Sequence, residues 1–351
     1  MRAHGAKASM GMGVDDYVAG VRRGDRAVLA RAITLIESTS ARHQGMARDV
    51  LEQLLPATGR SRRVGITGVP GVGKSTFIEA LGLHLCGRGL KVAVLAIDPT
   101  STLSRGSILG DRTRMERLSG EPNAFIRPSP AGGTLGGVAR RTRETLLLCE
   151  AAGFEAVLVE TVGVGQSEVT LRSMVDFFLL LLLPGAGDDL QGIKRGIMEM
   201  ADAVLINKAD GENRARAESA RSEQAMALHH LAPATAGWAP EVGLCSGRTG
   251  EGIPEFWAMV EQFYGVFEGN GGIAARRREQ SMQWLEETLS DALVTRFRRH
   301  PEVRSRRPDI ERALAAGEIG VAEAAARLLE IFQQTPAGEP GGTFSGTGRQ
   351  P

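Results

Sequence analysis

The chain lacks the sequence patterns that are typical of secreted, membrane and zinc-binding proteins. Its 351 residues include three cysteines, with no Cys-x-x-Cys pair and no Cys/His cluster at ligand spacing, which argues against a disulfide framework or a zinc site. The N-terminus has no apolar stretch typical of a secretory signal. The most apolar run, 177–183, is far shorter than the ~20 residues of a membrane span. We therefore expect a cytoplasmic protein with no membrane partner.

Neither sign of charge is in excess. Lys and Arg number 42 and Asp and Glu 41, which leaves a formal net charge of +1 and gives no sign of a nucleic-acid partner. Among the basic residues lysine is rare, and most are arginine. A lysine in so arginine-rich a chain can indicate a position that needs a compact ammonium group. Lys74, Lys194 and Lys208 are the candidates.

A phosphate-binding loop is the clearest motif that is present. Residues 68–75 match G-x-x-x-x-G-K-[ST], after a β-branched run and before a segment of helical spacing. In such a loop the glycines let backbone N–H groups point at phosphate oxygens, the lysine reaches the β- and γ-phosphates, and the hydroxyl binds Mg²⁺. The nucleotide-binding residues predicted here are Gly68, Gly71, Val72, Gly73, Lys74, Ser75 and Thr76.

A second motif predicts which base is bound. Asn207-Lys208-Ala209-Asp210 follows an apolar strand and matches N-K-x-D. A carboxylate there can accept hydrogen bonds from N1–H and N2–H₂ of guanine, whereas adenine offers no such donor pair. The segment after the next predicted strand supplies a further base-contacting loop, with Ser246, Gly247 and Arg248 as candidates. Together the motifs predict a GTP and GDP site.

Three acidic residues are candidate ligands of Mg²⁺. Glu160 ends a predicted strand, Asp98 ends another, and Asp111 lies in a Gly-rich segment. Because Mg²⁺ keeps several waters, we expect Ser75 with one or two of these carboxylates as direct ligands. A solvated loop carboxylate is the alternative interpretation of Asp111.

Catalytic and nucleotide-responsive positions are predicted around these ligands. Lys74, Glu160, Asp111 and Arg114 are the catalytic candidates. The backbone N–H of Gly163 is placed to respond to the γ-phosphate, and Gln166 is a candidate for orienting water. Asp188 and Lys194 lie in a Gly-rich loop that suits a further mobile segment, although Asp188 also fits a helix N-cap.

Apolar runs alternate with helical patterns from residue 63 to about residue 267. Runs without polar alternation are typical of parallel strands covered on both faces, so the pattern predicts a doubly wound, mainly parallel α/β domain. Residues 273–299 and 308–333 also have helical patterns. The predicted organisation is a disordered start (1–14), N-terminal helices (15–62), a P-loop GTPase domain (63–268), a C-terminal helical dimerisation arm (269–334) and a disordered tail (335–351).

With these motifs the sequence resembles the MeaB/ArgK-type G proteins, GTPase chaperones of the adenosylcobalamin enzyme methylmalonyl-CoA mutase. The segments that carry the resemblance are GVPGVGKST (68–76), AIDPTS (96–101), GSILGDRTRM (106–115), ETVGVGQSE (160–168), VDFFLLLLLPGAGDDLQGIKRGI (175–197) and NKAD (207–210). The resemblance extends to about residue 332. Residues 102–105 differ from the family pattern, which leaves the role of that segment open.

This resemblance implies a Mg²⁺-dependent GTPase that binds methylmalonyl-CoA mutase, gates adenosylcobalamin loading and protects the mutase from inactivation. It also implies a homodimer formed through the C-terminal helices, with no cobalamin bound by the chain itself. The acidic metal positions of the family map onto Asp98, Asp111 and Glu160. Its mobile segments map onto 111–114, the residues after Glu160, and 188–194.

Other classes of function stay open on sequence alone. A nickel-insertion GTPase on the same core is the main alternative, but the six histidines form no cluster of ligand spacing. A small-molecule kinase would transfer phosphate to an acceptor instead of releasing it. A scaffold with structural nucleotide would bind its partner equally with GTP and GDP.

Overall fold

A seven-stranded β-sheet forms the centre of the protein. The structure, a computed structural model, describes residues 12–97, 115–128, 135–161, 167–185 and 195–334. Within them the strands are β1 (Arg62–Gly68), β2 (Val92–Ile97), β3 (Ala124–Arg127), β4 (Ala156–Thr161), β5 (Phe177–Leu182), β6 (Ala203–Ile206) and β7 (Glu241–Leu244). All neighbouring strands pair in parallel, in the order β3-β2-β4-β1-β5-β6-β7.

Helices precede the sheet, connect its strands and follow it. In the described ranges they are α1 (Val14–Arg22), α2 (Arg26–Glu37), α3 (Ala41–Leu54), α4 (Lys74–Gly87), α5 (Glu116–Ser119), α6 (Leu135–Ala151), α7 (Ser167–Arg172), α8 (Arg195–Met198), α9 (Arg214–His229), α10 (Ile253–Phe267), α11 (Gly272–Arg299), α12 (Pro301–Ala315) and α13 (Val321–Gln334). No helix among the described residues is both long and apolar enough to span a membrane.

Local signals set several helix ends. Asp25 caps α2, because its carboxylate accepts hydrogen bonds from the backbone N–H of Ala27 (2.9 Å) and Val28 (3.1 Å). Such a cap satisfies N–H groups that have no partner within the helix. The helix α3 ends at Leu54, two residues before Pro56, whose ring cannot continue an α-helix.

Both faces of the sheet are covered, as the sequence predicts. On β2, Val92 and Val94 enter the core that contains the buried apolar residues of α4 and α10. The alternate residues Ala93 and Leu95 enter the opposite core, which contains those of α1, α2, α3 and α6. The fold is therefore a doubly wound α/β domain, and the N-terminal helices form part of one of its two layers.

A buried ion pair fixes the start of α11 against the amino ends of the strands. Asp176, directly before β5, is fully buried and accepts two hydrogen bonds from Arg277, at 2.9 and 2.6 Å. The hydroxyl of Tyr264 donates to the same carboxylate at 2.6 Å. Burial alone raises the pKa of Asp176, but Arg277, the charge of Arg63 and the hydrogen bond from Tyr264 together bring it below its ordinary value. The carboxylate is thus held ionised inside the protein.

The chain divides into two compact units, one up to Gln283 and one from Trp284. In the second unit the helical pattern over 308–333 is interrupted, because α12 ends at Ala315 and α13 begins at Val321. Gly317 adopts a left-handed φ of +72°. Its N–H bonds the carbonyl of Leu314, and the next N–H bonds that of Ala313, which is the Schellman helix ending.

We predict that Arg277→Met destabilises the protein by about 3–5 kcal/mol, because it leaves the buried Asp176 carboxylate without its ionic partner. Urea unfolding at neutral pH measures this difference. Arg278→Met is the matched control, because Arg278 is exposed and should change stability by less than about 0.5 kcal/mol. Since the folded-state pKa of Asp176 is depressed, the loss should persist above about pH 4 and shrink as the pH falls through that pKa. Equal stability of the two variants at neutral pH would contradict this assignment.

Candidate nucleotide-binding site

The predicted phosphate loop connects the end of β1 to the start of α4. Gly73 has φ +94°, and a Cβ there would lie 2.8 Å from the amide nitrogen of Asn207. Gly68 has φ +151°, and a Cβ there would lie 2.4 Å from the carbonyl oxygen of Leu181. Both the backbone conformation and the lack of space therefore require glycine at these two positions.

Lys74 lies over this loop. Its ammonium donates hydrogen bonds to the carbonyl oxygens of Gly68 (2.8 Å) and Val69 (3.2 Å). Burial lowers the pKa of Lys74, while the carboxylates of Glu160 and Glu168 raise it in part. The side chain is thus held against the backbone of the predicted phosphate loop, and its contacts with the β- and γ-phosphates stay a prediction.

Two of the predicted metal ligands are neighbours. The hydroxyl of Ser75, in the first turn of α4, donates a hydrogen bond to the Glu160 carboxylate at 3.2 Å, near the end of β4. A hydroxyl and a carboxylate are hard oxygen donors of the kind that Mg²⁺ binds. The pair fits a magnesium site at the first turn of α4.

Several predicted residues lie outside the described ranges. These are the metal candidates Asp98 and Asp111, the catalytic candidate Arg114, and the nucleotide-responsive candidates Gly163, Gln166, Asp188 and Lys194. Their roles stay predictions.

The N-K-x-D segment follows β6 and contacts the phosphate loop directly. The amide of Asn207 donates to the carbonyl of Val72 at 2.8 Å and accepts from the N–H of Gly247 at 3.2 Å. Lys208 donates to the carbonyl of Gly71 at 2.9 Å and has φ +59°, the left-handed conformation that non-glycine residues rarely adopt. The structure thus brings three separated segments of the sequence together.

Asp210 is held as an ionised acceptor. The buried hydroxyl of Ser246 donates to one carboxylate oxygen at 2.9 Å, and the guanidinium of Arg248 donates to the other. The Ser246 hydrogen bond, followed by the contact with Arg248, lowers the pKa of Asp210. The carboxylate therefore offers acceptors only, as recognition of the guanine N1–H and N2–H₂ edge requires.

The loop after β7, predicted to contact the base, packs closely on α4. A Cβ on Gly247 would lie 2.8 Å from the backbone nitrogen of Phe77 and 3.0 Å from the carbonyl carbon of Thr76. Only a residue without a side chain allows this approach. The loop that holds Ser246 is thereby positioned relative to the first turn of the phosphate-loop helix.

Glu168 is an acidic residue that the sequence motifs did not single out. It lies in the first turn of α7, is buried at 6 % exposure, and raises the pKa of Lys74 through its charge. It lies within the ETVGVGQSE segment. Its position shortly after a predicted nucleotide-responsive loop is the feature of the sequence that could have indicated a role near the nucleotide. The sequence alone does not show that this acid turns inward.

The parallel sheet, the phosphate loop after β1 and the N-K-x-D segment after β6 define the protein as a P-loop GTPase. A family model described as "Methylmalonyl Co-A mutase-associated GTPase MeaB" matches residues 29–302. The chain therefore belongs to the family of methylmalonyl-CoA mutase-associated GTPases of the MeaB type.

Individual relatives agree with this family. A probable GTPase of Mycobacterium tuberculosis is 53% identical over 322 residues, which cover 92% of this chain and 96% of the relative. The mitochondrial methylmalonic aciduria type A homolog of Mus musculus is 44% identical over 330 residues, which cover 91% and 80%. Among solved structures, a LAO/AO transport system kinase superposes with a TM-score of 0.71 at 36% identity, covering 92% of this chain and 98% of that one.

We predict that Gly73→Ala lowers guanine-nucleotide affinity by about tenfold or more, because the new methyl group both strains the backbone and displaces the Asn207 amide. Fluorescence titration with a labelled GDP measures the effect. Gly71→Ala is the matched control, because Gly71 also has a left-handed φ but a Cβ there meets no atom within 4 Å. If both variants lost affinity equally, backbone strain alone would account for the result and the contact with Asn207 would be irrelevant.

Proposed function

We propose that the protein is a GTP-hydrolysing chaperone of methylmalonyl-CoA mutase, which gates adenosylcobalamin loading and protects the mutase from inactivation. The observation that carries the proposal is the amide of Asn207, which joins the predicted phosphate and guanine contacts into one site. Membership of a mutase-associated GTPase family supports the identity of the partner. In this proposal the chain acts on the mutase and binds no cobalamin itself.

In the proposed site one loop binds the phosphates and the other binds the guanine base. Backbone N–H groups of residues 71–76 and the ammonium of Lys74 bind the phosphates, and Asp210 accepts from the guanine edge. Ser75 and Glu160, with Asp98 or Asp111, hold Mg²⁺. When bound, Mg²⁺ neutralises charge that develops on the phosphate oxygens.

Nucleotide state is proposed to reach the mutase through the segments next to this site. Gly163 and Gln166 lie between the end of β4 and the start of α7, so a contact with the γ-phosphate would act on both elements. Asp111 and Arg114 act on the transferred phosphoryl group, and Asp188 and Lys194 belong to a third responsive segment. A mutase that binds the GTP and GDP forms unequally would then sense hydrolysis.

An apolar stripe on α11 supports the proposed homodimer. Met282, Leu285, Leu289 and Leu293 follow one another at spacings of three or four residues, and these residues are 48–62% exposed. Residues at this spacing share one face of a helix. An exposed apolar face of this kind is typical of an interface, and a second copy of α11 offers the complementary surface.

The mutase proposal predicts a complex that depends on the bound nucleotide. Methylmalonyl-CoA mutase should co-purify with the protein, and its presence should accelerate GTP hydrolysis, because the complex would order the catalytic segments. Phosphate release with and without the mutase measures the effect, with Lys74→Ala as the control that loses turnover. An unchanged rate together with equal mutase affinity in GDP and in a non-hydrolysable GTP analogue would contradict the proposal.

The dimer proposal predicts that Leu289→Lys yields a monomer, because a charged side chain would have to be buried at the centre of the apolar stripe. Sedimentation equilibrium measures the mass. Asp291→Lys introduces the same side chain at an exposed position two residues further along α11, which places it on the opposite face of the helix, and this variant should stay dimeric. A monomeric wild type, or a dimeric Leu289→Lys, would rule this interface out.

A further inference from the structure

Arg248 donates a hydrogen bond to the Asp210 carboxylate, the acceptor that the proposed guanine recognition requires. Its guanidinium donates to one oxygen of the Asp210 carboxylate, while the other oxygen accepts from Ser246 at 2.9 Å. Both oxygens are thus engaged by side chains of the loop after β7. The two partners of Asp210 nevertheless differ in how firmly they are held.

Ser246 is fixed and Arg248 is not. Ser246 is 1% exposed, and its oxygen also accepts from the backbone N–H of Thr249 at 3.2 Å. The Arg248 side chain is 77% exposed, whereas that of Asp210 is 15% exposed. No other ion pair of Arg248 is found among the described residues. A long, exposed side chain held by one contact can leave its partner at small cost.

Arginine and guanine present the same chemical group to a carboxylate. The N1–H, C2 and N2–H₂ atoms of guanine form a guanidine fragment, with two N–H donors directed to one side. The guanidinium of arginine offers the same planar pair of donors, which is why it binds carboxylates in a bidentate manner. A carboxylate placed to accept from one of these groups is therefore suited to the other.

We propose that Arg248 competes with guanine for Asp210 and thereby limits the affinity for guanine nucleotides. The proposal rests on the proposed guanine-nucleotide site. In it Arg248 is a competitor of the base, whereas the sequence predicts a residue that contacts the base. The base exchanges with the guanidinium on the carboxylate, while Ser246 keeps its contact throughout. Adenine has no donor pair with which to displace Arg248, so the competition lowers the affinity for guanine nucleotides and leaves that for adenine nucleotides unchanged.

The competition predicts a gain of affinity on removal of the side chain. Arg248→Ala should bind GDP and GTP about two- to fivefold more tightly than the wild type, as expected for loss of one exposed ion pair. The gain should appear in the association rate, because the guanidinium must leave Asp210 before the base can bind. Rapid mixing of the full chain with fluorescently labelled GDP and GTP gives both rate constants.

Arg214→Ala is the matched control. Arg214 is also an exposed arginine, but it pairs with Glu218 and Glu251 and not with Asp210. The control should keep wild-type rate constants, and an equal gain in both variants would instead indicate a general effect of net charge and overturn the proposal. Unchanged binding by Arg248→Ala would also overturn it, and weaker binding or faster dissociation would overturn it by showing that Arg248 holds the base. A wild type that binds no guanine nucleotide would refute the proposed function itself.

Discussion

One side-chain amide aligns the two halves of the nucleotide site. Asn207 donates to the carbonyl of Val72 and accepts from the N–H of Gly247, so a single planar group contacts both the phosphate loop and the loop after β7. An amide can do this because it carries a donor and an acceptor at fixed separation. It is 2% exposed, and the thiol of Cys245 also lies 3.5 Å from its oxygen. The distance between the phosphate and base contacts depends on this one buried group.

Buried ion pairs at the opposite end of the sheet hold the structure together. Three fully or nearly fully buried carboxylates, Glu150, Asp176 and Asp202, pair there with arginines at the amino ends of the strands. Such pairs offset their desolvation only when their hydrogen bonds are satisfied. The predicted chemistry lies at the carboxyl ends, as is usual for open parallel sheets. The fold thereby separates the charges that fix α11 from the charges that would act on nucleotide.

The short helix α7 connects these two ends. It begins directly after residues 162–166 and packs on β1, where Leu171 lies so close to Gly65 that an added Cβ would be 2.8 Å away. It ends at Arg172, whose guanidinium pairs with Asp202 and whose carbonyl accepts from Gln280 of α11. A continuous set of contacts therefore leads from α7, which follows the predicted nucleotide-responsive segment in the sequence, to the first part of α11.

Local sequence patterns were sufficient to predict most helices and strands, but not the side-chain pairs between residues far apart in the sequence. Unbroken apolar runs predict the strands, and the capping carboxylate of Asp25 predicts the start of α2, because both signals are local. The pairing of Asp176 with Arg277 joins residues 101 positions apart, and no local pattern specifies such a partner. The same holds for the strand order and for the inward position of Glu168. Gly317, which ends α12, is also a local signal. Apolar residues at helical spacing continue beyond it, however, so the sequence pattern did not predict the break between α12 and α13.

The most direct test of this account is a competition experiment with labelled GDP against unlabelled GDP and ADP, for the wild type and Asn207→Asp. The substitution keeps the shape of the side chain but replaces its donor with an oxygen that faces the carbonyl of Val72. The account predicts that the wild type strongly prefers GDP and that the variant loses about tenfold or more in GDP affinity. Equal GDP affinity of the two proteins, or equal binding of GDP and ADP by the wild type, would contradict it.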